Sequence, residues 1–229
     1  MCGRINLWMS SADLAEVFEL FREPEWLPKY NLAPMQQILS VRMHPKGVRL
    51  AEPVQWGLVP SWAKALPTGA PLNNARSDTV ATKPAFREAF RRRRCLVPAN
   101  GFYEWKRLGS KSKQPWHIFR KDRQPLALAG LWDHWQTPDG DTLESCCVVT
   151  TEANEFMADI HDRMPVILKV EDWSDWLDPE LIDVEKISRL IVPCPNEWLE
   201  MTPVSSLVNN VRNDSPECVR PVSEERTLF

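Results

Sequence analysis

The chain has 229 residues, 43% of them hydrophobic and 26% charged, with a net charge of −3. That is enough apolar material for one sizeable core, and the slight acidity excludes a protein that holds nucleic acid by bulk charge. No stretch approaches the roughly 20 apolar residues of a membrane-spanning helix, no linker divides the chain and no repeat recurs, so one domain over residues 1–229 is expected, with a tail from about 205.

Residues 1–20 carry no basic start followed by an apolar run, which predicts a cytoplasmic chain with reduced thiols. Residues 11–21 (SADLAEVFELF) have a Ser/Asp start and helical apolar spacing, ended by Pro24 and Pro28. Residues 38–43 and 48–54 read as strands joined across a Pro-Lys-Gly turn. Residues 57–77 are rich in Pro, Gly and Asn and read as loop. Residues 83–93 read as a second helix, basic at its C-terminal end, where the helix dipole favours cations. Strands follow at 95–98, 102–106, 116–120, 126–132 and 145–150, a short helix at 152–160 and a strand at 165–170. Two short acidic helices broken at Pro179 occupy 171–190, and a last strand lies near 198–204. Many short strands with few helices predict an α+β fold on a curved, mostly antiparallel, barrel-like sheet with flanking helices.

Charge is unevenly spread. Residues 83–123 hold 13 Lys or Arg against three acids, and residues 171–200 hold nine acids against two bases. One face could therefore attract a polyanion while the whole stays acidic; alternatively, the RRRR run at 91–94 solvates a helix end. Of the 11 tryptophans, most belong in a core, but Trp62 and Trp105 lie among polar residues and could stack on bases. The six cysteines form no C-x-x-C pair and the four histidines no ligand spacing, so neither a metal nor a cofactor is expected.

Four short stretches could carry chemistry. MCGR places a cysteine directly behind the initiator methionine. This is either a frayed end or, once Met1 is removed, a 1,2-aminothiol. Its amine (pKa about 7.7–8.0) and thiol (about 8.5) are both partly deprotonated near neutrality. Such a pair condenses with an aldehyde to an imine, on which the thiolate closes to a thiazolidine. An N-terminal cysteine can also act as a nucleophile with its own amine as base. Asn73-Asn74-Ala75-Arg76 sets two carboxamides beside an arginine. In GFYEWK, Glu104 sits among aromatics, either as a general acid/base of raised pKa or on a solvated strand face. In IHDRMP, His161 is either a proton shuttle, with Arg163 for a phosphate, or part of a polar turn.

MCGR, YNLAP, NNARSDT, GFYEWK and IHDRMPVIL, in this order, resemble the SRAP family of abasic-site processing proteins from Cys2 to about Val204. The block at Asn73 departs from the family pattern, where an apolar residue is expected. The resemblance implies a sensor of abasic sites in single-stranded DNA; the sequence shows no identifiable oligomeric interface, so a monomer is expected, without metal or membrane. Cys2 would form the thiazolidine crosslink and Asn74 would position the terminus and the opened sugar. Glu104 would assist ring opening and proton transfer, and His161 the Schiff-base step and reversal. Arg4, Asn31, Pro34, Trp62, Arg76, Trp105, Lys106, Thr150, Arg163, Met164 and Pro165 would contact phosphates or wedge bases at a strand–duplex junction. The competing readings are a class II glutamine amidotransferase, whose chains also open MCG but continue with MCGI, a non-catalytic single-strand binder, and a protease that removes its own first residue. The H-T-R-W-type and N-G-E/D-G segments of the amidotransferases are missing here.

Overall fold

A computed structural model describes residues 2–109 and 112–222. Its strands are buried because they are apolar on both faces. β3 (Gln37–Met43), β4 (Arg49–Trp56), β6 (Arg94–Ala99), β9 (Leu126–Gln136) and β10 (Thr142–Glu152) carry the apolar runs. β3 pairs with β4 and β6, β6 with β9, β9 with β10, and β10 runs parallel to β4. The pairings return to their start, so these five strands close into a ring and leave no free edge among themselves. Two short strands extend β10: β5 (Asn74–Arg76), parallel to it, and β11 (Arg163–Pro165), antiparallel.

A second, antiparallel sheet has the order β12-β8-β7-β1-β2. It is built from β1 (Ile5–Leu7), β2 (Lys29–Leu32), β7 (Gly101–Leu108), β8 (Ser112–Arg120) and β12 (Leu199–Pro203). The chain passes from ring to sheet through Asn100, whose side-chain oxygen accepts from the backbone N–H groups of Trp8 (2.8 Å) and Met9 (3.2 Å). Gly101 is required there, since a Cβ would lie 2.3 Å from His117 Nε2. The Pro-Lys-Gly turn forms as expected, with Gly47 at φ +75° and His44 N–H bonded to the Val48 carbonyl at 2.8 Å.

The helices are shorter than the sequence predicts. α1 (Ser11–Val17) starts on Ser10, whose hydroxyl caps the Asp13 N–H. It ends before the prolines, because Glu19 takes a left-handed φ of 52° and Leu20 bridges to Arg49. α2 spans Arg87–Arg92 only. Pro84 disfavours helical backbone at Lys83, and the preceding residues form turns instead. α3 (Glu155–Ala158), α4 (Trp173–Leu177) and α5 (Val184–Ser188) flank the sheets. The strand predicted at 165–170 is an offset: Pro165 ends β11, and Val170 already begins a 3-10 turn. Residues 205–222 are not a free tail. Val208 and Cys218 are wholly buried against Tyr103 and Val204. No helix among the described residues is long and apolar enough to cross a membrane.

Candidate active site

The N-terminal residue of interest is fixed by pairing. β1 runs antiparallel to β7, with Ile5 opposite Phe102, and Tyr103 N–H bonds the Arg4 carbonyl at 2.9 Å. This carries Cys2 alongside the strand that holds Glu104. Cys2 is buried. Burial pushes its thiol well above the usual range, the Glu104 carboxylate adds to this, and an N–H bond from Arg4 works the other way. Asn74 Nδ2 donates to the Cys2 carbonyl at 2.7 Å, and Asn73 Nδ2 reaches the same oxygen at 3.5 Å. Asn74 is itself set by β5 lying on β10, opposite Val148. The neighbouring Asn73 carbonyl accepts from Val148 N–H (3.0 Å) and from the indole of Trp56 (2.9 Å). Trp56 is wholly buried and was invisible as a site residue, because a tryptophan at a strand end reads as core.

Glu104 and His161 line one pocket of ≈ 490 Å³ with Lys106, Arg107, Lys113 and Asp159. Only 5% of Glu104 is exposed. Burial raises its carboxyl to about 7, with Asp162 pushing the same way and Lys113 against. A carboxyl so placed exchanges a proton near neutral pH. His161 ends the turn after α3, its N–H bonded to the Met157 carbonyl at 3.0 Å. α3 is in turn capped by Asn154, which accepts from Met157 N–H at 3.0 Å and donates to the Cys194 carbonyl at 2.9 Å. Nδ1 of neutral His161 accepts the Arg163 N–H at 3.0 Å, and the protonated ring instead donates to Asp162 Oδ1 at 2.7 Å. Burial is the first of the influences that lower its pKa, so the ring favours the neutral, proton-accepting form.

The remaining predicted residues fall into separate groups. Arg4 lies over the Trp105 ring, 5.5 Å from its centre. It donates to Asn31 Oδ1 at 2.7 Å and to the Val208 carbonyl. Asn31 is buried and gives its amide to the carbonyls of Val208 (3.2 Å), Asn210 (3.1 Å) and Asn213 (2.7 Å). Trp105 donates to Asn209 Oδ1 at 2.7 Å. These three therefore hold the segment 208–213. Arg76 is exposed and paired with Asp78 at 2.7 Å. Arg163 donates to the Thr150 carbonyl at 2.6 Å and lies 4.0 Å from the same Asp78. Thr150, Met164 and Pro165 are buried, and the Met164 sulfur accepts the Asn154 N–H at 3.3 Å. Their side chains face inward. Trp62 stands apart and is 62% exposed. Its loop is tied down by Ser61 N–H to Asp133 (3.0 Å) and by the Trp135 indole to the Ala63 carbonyl (2.6 Å). Pro34 is half-buried beside the exposed Met35.

The RRRR run divides. Arg91 and Arg92 are exposed, and Arg93 pairs with Asp133 at 3.1 Å. Arg94 is buried, its guanidinium donating to the carbonyls of Trp176 (2.6 Å), Phe90 (2.9 Å) and Leu181 (3.0 Å). Burial lowers its pKa to about 10. The run thus joins helix ends as much as it meets solvent. Among the described residues no three His, Cys, Asp or Glu side chains converge to hold a metal.

The family model of the SOS response associated peptidase (SRAP) matches residues 1–211. The abasic site processing protein YoqW of Bacillus subtilis (strain 168) is 43% identical over 222 residues, covering 96% of this chain and 99% of that one. The abasic site processing protein HMCES of Mus musculus is 35% identical over 239 residues, covering 88% and 67%. A crystal structure of a protein from Bacteroides thetaiotaomicron superposes with a TM-score of 0.85 at 24% identity, covering 97% of this chain and 100% of that one, and so shares the fold.

Proposed function

The chain belongs to the SOS response associated peptidase (SRAP) family, and from that premise we propose that it senses abasic sites in single-stranded DNA and bonds to them through Cys2. Removal of Met1, by this site or by another peptidase, frees an amine next to the thiol. The abasic sugar opens to a C1′ aldehyde, with protonated Glu104 giving a proton to the ring oxygen and its carboxylate taking up the one that the C1′ hydroxyl loses. The amine adds to the aldehyde carbon and water leaves, giving a Schiff base. Neutral His161 accepts a proton from nitrogen in that step and returns it to the departing hydroxyl, which leaves as the water. The Cys2 sulfur then adds to the imine carbon and the thiol proton passes to nitrogen, closing the thiazolidine. The sequence releases one water in all, and the same groups run it backward when the crosslink reverses. Asn74 holds the Cys2 carbonyl throughout, so amine and thiol meet the aldehyde from a fixed residue and the ring closure gains the advantage of an intramolecular step.

The observation that carries this reading is the 2.7 Å bond from Asn74 to the Cys2 carbonyl. It fixes a chain end, ordinarily the least constrained part of a protein, beside a carboxyl that exchanges protons near pH 7. Exposed Trp62 offers a stacking face, and Arg76, Lys106 and Arg163 offer charge for the DNA backbone, which positions a strand without reading its sequence. Arg4, Asn31, Trp105 and Thr150 act by holding the site together.

The test is a denaturing gel of purified protein with a single strand bearing one abasic site. A covalent band is expected, absent in Cys2→Ala and absent when Met1 is retained. A band that survives Cys2→Ala, or no band with the processed protein, overturns the reading.

A further inference from the structure

Pairing of β7 with β1 runs no further than Arg4 opposite Tyr103 among the described residues. Beyond Trp105 and Pro115, where the backbone bond from Val204 to Pro115 ends the contact with β12, β7 and β8 continue as a two-stranded arm whose residues line the pocket of Glu104 and His161. The register of the arm places Arg107 directly opposite Lys113, with Lys106 opposite Gln114. Like charges directly opposite on paired strands repel. None of Lys106, Arg107 and Lys113 forms an ion pair with a described residue. All three line the pocket, while the carboxylate of Asp159 lies on the wall that carries His161. The field of Lys113 reaches Glu104 and favours its charged form, against the effect of burial. Arg107 and Lys113 are exposed and Lys106 half-buried, so the three present unneutralised positive charge to an anion that enters the pocket.

We infer that Lys106, Arg107 and Lys113 form a phosphate subsite that seats one of the two phosphodiesters flanking the abasic sugar, so that the sugar is delivered to Glu104. This rests on the function proposed above and adds to it the point of contact that sets the lesion in register with Cys2. A phosphodiester suits the geometry because it is a single negative charge on a flexible chain, able to enter an open pocket from one side. It also places the cations one linkage away from the reacting carbon, where they fix position without occupying the site of the chemistry.

The inference is tested with single strands carrying one tetrahydrofuran abasic analogue. A neutral methylphosphonate replaces the 5′-flanking phosphate, the 3′-flanking phosphate or a remote one. Wild-type affinity should fall about fivefold or more for one flanking replacement and little for the remote one. The double variant Arg107→Gln/Lys113→Gln should bind the natural strand more weakly and be indifferent to that same replacement. Its slope of log affinity against log salt should be shallower by about 0.7 per cation removed. Lys113→Gln alone should give half of these effects. Equal losses at flanking and remote positions, or a flanking loss that persists in the double variant, overturn the subsite. Wild-type protein that shows the expected coupling yet forms no adduct with a true abasic site overturns the crosslinking reading instead, so the two failures are separate.

Discussion

Glu104 shows what the site costs the fold. Its carboxyl sits at about 7 instead of the ordinary 4.5, chiefly through burial. The folded state therefore binds a proton between those values that the unfolded chain releases. Stability from the neutral carboxyl is fully present below pH 4.5 and is lost as pH rises through 7. Glu104→Gln cannot ionise, so its advantage over the wild type should grow from pH 5 to pH 8, to about 3 kcal/mol at most. Urea unfolding at the two pH values measures this, and a difference that does not change with pH would show that the carboxyl is unperturbed. The same variant should crosslink more slowly, since no carboxyl remains to give and take the proton. Among single residues, Cys2, Asn74, Glu104 and His161 were legible in the sequence because each sits in a short distinctive block. The roles of Trp56 and Asp214 were not, since both act on backbone groups far away in the chain. Arg4, which the family resemblance made a phosphate contact, donates to Asn31 and to the Val208 carbonyl, acceptors that a sequence does not display.

At the scale of elements, the longer strands were readable, β7 with Glu104 among them, and the short ones that position Cys2 and Asn74 were not. β1, β2 and β5 are three or four residues long, too short for any alternation to stand out. β1 and β5 exist because the longer β7 and β10 supply their hydrogen bonds, and among the described residues β2 pairs with β1 alone. The segment 205–222 was missed for a similar reason. It has few apolar residues and is held by polar links to β2. Asp214 accepts from Tyr30 N–H (2.6 Å) and Asn31 N–H (3.2 Å) and pairs with Lys29 at 2.9 Å. Because Asn31 in turn bonds Arg4, loosening this segment should reach the reactive end. Asp214→Ala is expected to lose about 1–3 kcal/mol of stability and to crosslink more slowly at temperatures where it remains folded. Destabilisation with an unchanged crosslinking rate would show that the segment supports the fold alone.

For the whole molecule, the sequence conveyed the class of fold, a curved and mostly antiparallel sheet with small helices, but not the closure of the ring. That closure depends on parallel contact between β10 and β4, which are about 90 residues apart. The basic stretch was legible as charge, yet its distribution was not. Arg93 and Arg94 turn inward while Lys106, Arg107 and Lys113 line the pocket. On the function proposed above, the surface offered to DNA is the three cations of the pocket, exposed Arg76 and exposed Trp62. Binding to undamaged single strands should thus weaken steadily with added salt and vary little with base sequence, as fluorescence anisotropy on several oligonucleotides would show. A strong sequence preference at constant salt would mean that base edges are being read.

The coupling of Arg4 to Asn31 and to the Val208 carbonyl also orders events in time. A ribosome makes Cys2 about 100 residues before β7 and about 200 residues before the segment that holds Asn31. Cys2 is therefore made long before the parts that fix it in place. On the function proposed above, a truncated nascent chain freed of Met1 would carry the aminothiol without the frame that aims it.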